Sequence, residues 1–107
     1  MAIDLAEAAR KLNDDLAMNR RAGITDDNQL DVQVMCVAEE AGELVGAYRR
    51  WAGKARRPGT LGEVRAEIAD VLIVTAVLAE RLGVNIDEAV ADKLLVIYSR
   101  GWQDDSL

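Results

Sequence analysis

Apolar residues recur every three to four positions along most of this chain, and the interruptions fall where a helical chain has to turn. Leu5, Ala9, Leu12 and Leu16 share one face, with Ala6, Ala8 and Met18 beside them, before Gly23 supplies a stop. That spacing predicts an amphipathic first helix of about five turns, over about residues 3–22. Ile24-Thr-Asp-Asp-Asn28 is rich in side chains that bond their own backbone and reads as a turn capping the next helix. The second helix, over about residues 28–52, carries Leu30, Val34, Val37, Leu44, Val45 and Tyr48 and is closed by Gly53. Lys54-Ala-Arg-Arg-Pro-Gly-Thr60 then holds a basic cluster and the only proline, whose ring blocks helix continuation, so an exposed basic loop is expected.

Thr60 and Glu63 have the spacing of a capping box, which starts a third helix over about residues 61–82. Gly83 is its expected left-handed stop, and Asn85 with Glu88 repeats the capping pattern for a fourth helix over about residues 86–99. Arg100 to Leu107 reads as a tail, frayed at its acidic end unless Trp102 docks. The pattern contains no repeat and no linker, so the chain is expected to be a single all-α domain, residues 1–107, of four-helix-bundle type.

Composition narrows the chemistry. Of 107 residues, 50% are hydrophobic and 30% charged, with one Cys and no His. Without histidine there is no Ser-His or Cys-His catalysis, no His-ligated zinc and no Glu-x-x-His di-iron site, so carboxylates must carry any hydrolytic chemistry. The lone Cys36 forms no internal disulfide or cysteine-zinc cluster; it reads as a small buried hydrophobe and fits a reducing, cytoplasmic setting. No signal-peptide pattern opens the sequence, and the longest nearly uncharged run, Ile68 to Ala79, is too short to span a bilayer. A monomer of this length buries about two-thirds of its unfolded surface, which leaves little margin and makes a helical partner chain plausible. The net charge of −6 argues against a nucleic-acid polymer as partner, although five of the thirteen Lys and Arg residues lie between Arg49 and Arg57.

Charge also sits where burial is expected. Ile68 to Ala79 is hydrophobic around the whole circumference, the pattern of a helix enclosed on all sides, yet it contains Asp70. Glu63, Glu67, Asp70 and Val74 fall on one stripe, so three acids face inward or line a groove. An unpaired buried carboxylate costs several kcal/mol and needs a cation, a donor or a proton. In the second helix Glu40 and Glu43 share a face with Cys36 and Ala47, beside Gly42 and Gly46. A short loop makes the two helices antiparallel neighbours, so Glu40, Glu43, Glu67 and Asp70 can converge. Oxygen-only ligands suit Mg²⁺, or Mn²⁺. The competing reading is a buried salt bridge from Asp70 to an Arg such as Arg65 or Arg81 of a neighbouring chain.

Glu39-Glu40-x-x-Glu43 followed by Glu67-x-x-Asp70 resembles the EExxE…ExxD signature of MazG-like nucleoside triphosphate pyrophosphohydrolases, the all-α NTP pyrophosphatases. The likeness extends through Ala69–Ile73 and Leu82–Val90 to Lys93 and Leu94, and so covers nearly the whole chain. It implies Mg²⁺-dependent hydrolysis between the α and β phosphates, giving monophosphate and pyrophosphate. Glu40, Glu43, Glu67 and Asp70 would be metal ligands, with Glu39 a supporting or water-orienting carboxylate. Lys93 and Arg100 would contact phosphate. The family also implies a homodimer, or a dimer of such dimers, with the active site near the subunit interface. Ile97 departs from the family's usual Asn, and Trp51 matches the base-packing aromatic only with a one-residue offset, changes that bear on base recognition more than on metal chemistry.

The residues add their own candidates. Arg49, Arg50, Lys54, Arg56 and Arg57 can contact the β and γ phosphates or merely solubilise a loop. Lys93 can instead pair with Glu88 or Asp92. Tyr48 and Trp51 can stack on a base or anchor the core or an interface. The main rival class is a non-catalytic oligomeric helical protein, whether a partner-binding module or a family member that has lost turnover. A nucleic-acid binder using the basic cluster would show steep salt dependence without needing a divalent cation.

Overall fold

The computed structural model describes residues 2–15 and 28–100, and these form four helices with no strand among them. They are α1 (Leu5–Asn13), α2 (Gln29–Trp51), α3 (Leu61–Arg81) and α4 (Ile86–Arg100). Punctuation follows the side chains that sequence singled out. Glu63 N–H donates to Thr60 Oγ1 at 3.2 Å and Glu88 N–H to Asn85 Oδ1 at 3.1 Å. Gly53 and Gly83 take φ of +74° and +73°, and each terminates a Schellman turn. In the second of these, Val84 N–H reaches Ala79 O at 2.8 Å while Gly83 N–H reaches Glu80 O at 3.1 Å.

The first helix is shorter than its periodicity suggests. It opens on an Asp4 cap, whose Oδ1 accepts from Glu7 N–H, and closes at Asn13, with Asp14 and Asp15 beyond it. Acids at a helix C-terminus oppose the backbone dipole and compete for its bonds, which explains why the expectation of a helix running on through these residues fails there. Leu16, Met18, Gly23, the Ile24–Asp27 turn and Trp102 lie outside the described residues.

α2 and α3 pack antiparallel, and α1 lies along α3 in the same direction, with Asn13 against Arg81 and Leu5 and Ala8 near Ala69, Leu72 and Ile73. Buried apolar residues are mostly alanines: Ala47 is 0% exposed, and Ala9 and Ala76 join Val77 in a cluster that Leu5 and Ile86 cover. Small side chains let the helix axes approach closely. Register is fixed by a polar latch. Gln33, itself buried, donates from Nε2 to Val74 O at 2.8 Å and accepts from Arg81 Nη1 at 2.9 Å, while Arg81 Nε donates to Asn13 Oδ1 at 2.7 Å. One side chain of α3 thus ties α1 and α2 to it.

α4 is held differently. Asp87 Oδ2 accepts from Ala6 N–H at 3.0 Å, so a residue in α4's first turn also serves α1's free amide end, but α4 itself contributes no buried residue. Enclosure of α3 on all sides is therefore not met in the single chain. Ile68, Leu72 and Ile73 remain substantially exposed, because α4 covers only the far end of α3. Cys36 is half-buried instead of buried, and Leu30, Val34, Val45 and Tyr48 on α2 are also exposed.

Candidate functional site

The antiparallel register that sets Gln33 opposite Val74 sets Glu40 opposite Glu67 about two turns further along. Carboxylate oxygens of Glu40, Glu67 and Asp70 all lie within 4.8 Å of one another. Glu40 and Glu67 are half-buried and Asp70 is exposed. Glu40 Oε2 and Glu67 Oε2 are shielded from water and have no hydrogen-bond partner. Orphaned anionic oxygens of this kind are costly unless a cation or proton answers them.

Glu43 does not supply a fourth converging oxygen. It is exposed and lies one turn from Glu40 on the same helix, outside the set of oxygens that meet. Partial removal from water, then the negative charges of Glu43, Asp70 and Glu67, push the Glu40 carboxyl above its ordinary value of 4.5. Asp70, expected inside an apolar enclosure, stands at the surface, and the neighbouring Leu72 and Ile73 are only partly covered by the start of α1. The alternative partner on the competing reading is an Arg of a neighbouring chain; within this chain Arg81 is bonded to Asn13, Gln29 O and Gln33.

Beside the cluster runs an open groove of about 570 Å³, walled by Glu39, Glu43 and Glu67, floored by Gly42 and Gly46 and bounded by Arg50. A Cβ at Gly42 would meet nothing within 4 Å, so the floor has room for a ligand. Lys54, Arg56 and Arg57 are exposed and do not line this groove, and neither do Lys93 and Arg100 on α4. Two features explain the divergence. The loop folds back on the C-terminal end of α2, where Gly59 N–H reaches Arg50 O, and α4 packs on α1 and α3 with no residue lining the groove. The expected phosphate contacts from these five residues are therefore not assembled in the groove of one chain. Tyr48 and Trp51 form a tilted pair, ring centroids 6.1 Å apart, each about half exposed. They are not core anchors of the described fold.

Arg50, which sequence reading grouped with the loop cations, and Gln33, which it passed over, are the two residues whose importance the fold raises. An Arg at the end of a helix that carries glycines at 42 and 46 is a weak signal of a folded-back side chain; for Gln33 there is no local signal. No family model, characterised protein or solved structure matches the chain.

Proposed function

We propose that this chain is a divalent-cation-dependent nucleoside triphosphate pyrophosphohydrolase, cleaving between the α and β phosphates of a nucleoside or deoxynucleoside triphosphate. One observation carries the reading: carboxylates from two separate helices meet within 4.8 Å, and two of their oxygens are shielded and unpartnered. Those residues suit Mg²⁺ or Mn²⁺, since the donor set is all oxygen and the open side leaves positions for water and phosphate. Glu40, Glu67 and Asp70 would hold the ion, with Glu43 one turn away on the same helix as a further ligand.

When bound, the ion supplies the Lewis acidity that neutralises triphosphate charge and makes a water more acidic. The chain's own residues do the rest. Glu39, in the groove wall and outside the converging set, is free to orient a water and take its proton as the α–β anhydride is cleaved. Gly42 and Gly46 keep the approach open, and the exposed faces of Trp51 and Tyr48 offer rings for a base.

The functional unit on this reading is a homodimer, or a pair of them. Val90, Leu94 and Tyr98 recur at four-residue spacing on α4 and are all exposed, with Leu95 beside them. An apolar stripe of this extent belongs against another surface. A second copy also offers a route for Lys93 and Arg100 to reach the neighbouring groove. The test is a panel of canonical and modified nucleotides, with and without Mg²⁺, scored for pyrophosphate. Mg²⁺-dependent release that Glu40→Gln removes is the expected result. Silence across the panel from a folded, Mg²⁺-loaded protein would favour the non-catalytic helical module instead.

A further inference from the structure

Arg50 is the one cation among the residues bounding the groove, and its setting differs from that of the loop. Its side chain is only 23% exposed. Its Nε is shielded from water and has no hydrogen-bond partner, and its ion pair, to Glu63 Oε2, spans a loose 3.6 Å. A guanidinium present merely to neutralise the acids would bond to the groove carboxylates. Arg50 instead leans on a rim residue whose own side chain is 48% exposed.

Backbone packing fixes this position. A Cβ on Gly46 would lie 3.3 Å from Arg50 Nη1, so the bare helix turn gives the guanidinium its room. Across the loop, Gly59 N–H donates to Arg50 O at 3.2 Å. A Cβ there would lie 2.7 Å from Arg50 Cβ and 3.2 Å from Glu63 Oε2, so any larger residue would part the pair. The side chain is thus located by its surroundings while part of its hydrogen-bonding fork stays unused. That fork matches a phosphate bidentately, and a phosphate's charge outcompetes one distant carboxylate.

We propose that Arg50 is the polyphosphate-binding residue of the groove, held by Glu63 until a phosphate displaces it. The ligand class that fits is a metal–polyphosphate, its cation at Glu40, Glu67 and Asp70 and its terminal phosphates at Arg50. This rests on the cation-binding reading above, but it does not require turnover.

Calorimetric titration of the full chain with Mg²⁺-saturated tripolyphosphate tests it. Arg50→Gln should weaken binding about tenfold or more, the loss expected when a charge-assisted hydrogen bond disappears. Arg50→Lys, which keeps the charge without the fork, should fall between, and Glu63→Gln should bind tighter than wild type because the competing carboxylate is gone. These two variants carry the test if Arg50→Gln does not fold, and unchanged far-UV helicity and unchanged Mg²⁺ binding alone establish that the variants are intact. Wild-type affinity in Arg50→Gln, no binding by the wild type, or a loss confined to an Arg56→Gln/Arg57→Gln double variant overturns the proposal. Should tripolyphosphate bind through Arg50 while no nucleotide is hydrolysed, the hydrolase reading falls and the role of Arg50 stands.

Discussion

Three carboxylates held within 4.8 Å of one another repel in the absence of a cation, and Glu40 bears the consequence because it is also partly withdrawn from water. Its folded-state titration lies above that of the unfolded chain. The folded form therefore holds the proton more tightly, and stability present below the ordinary value of 4.5 is lost as pH rises through the raised one. Thermal melts in chelator should show the melting temperature falling over that window, and Glu40→Gln should flatten the dependence; an unaltered slope would mean that the strain resides elsewhere. Asp70 makes the matching case for function. Being exposed, Asp70→Asn should leave metal-free stability unchanged or slightly raised by relieved repulsion, while abolishing pyrophosphate release. A sharp drop in metal-free stability would point to a structural ion pair instead.

The elements position these residues through a few local devices. α2 is a helix weakened in its middle by Gly42 and Gly46, each destabilising by about 0.5–1 kcal/mol relative to alanine. Helix economy alone would not retain them. Gly46→Ala should raise the melting temperature by that helix term yet weaken tripolyphosphate binding, because the new Cβ crowds Arg50 Nη1 at 3.3 Å. Paired melting and titration curves check both signs, and tighter or equal binding would remove Gly46 from the account. The caps were legible in advance. Thr60, Asn85, Gly53 and Gly83 act through bonds that close within a few residues, so their spacing in the sequence nearly specifies their geometry. α1 was less legible, since its apolar period runs past Asn13 while the Asp14-Asp15 pair stops the helix.

For the whole molecule, the described core is thin. Only two valines among the larger apolar residues are buried, each contributing about 1.5–3 kcal/mol, and the rest is alanine. Leucines and isoleucines on α3 and α4 remain at the surface, which is the reverse of what a self-sufficient chain does. Light scattering behind size exclusion should therefore report a dimer or tetramer. Leu95→Asp, on a side chain 68% exposed in the single chain, should shift it toward monomer and lower its melting temperature. A wild-type chain that runs as a stable monomer would leave the stripe on α4 without an explanation.

Helical period, caps and stops are properties of neighbours a few residues apart, so the amino-acid sequence by itself determined four helices and their main boundaries. It also placed Glu40, Glu67 and Asp70 on facing stripes, because antiparallel helices joined by a short loop leave little choice of partner. Contacts across long separations were another matter. Only the packed structure put Gln33 between Val74 and Arg81, left Asp70 and Leu72 at the surface, kept Glu43 out of the converging oxygens and set Arg50 at the groove while Arg56 and Arg57 stayed outside its lining. Those outcomes depend on axial register and on which face α4 covers, and both are set by the summed fit of alanine-lined surfaces that no local pattern encodes.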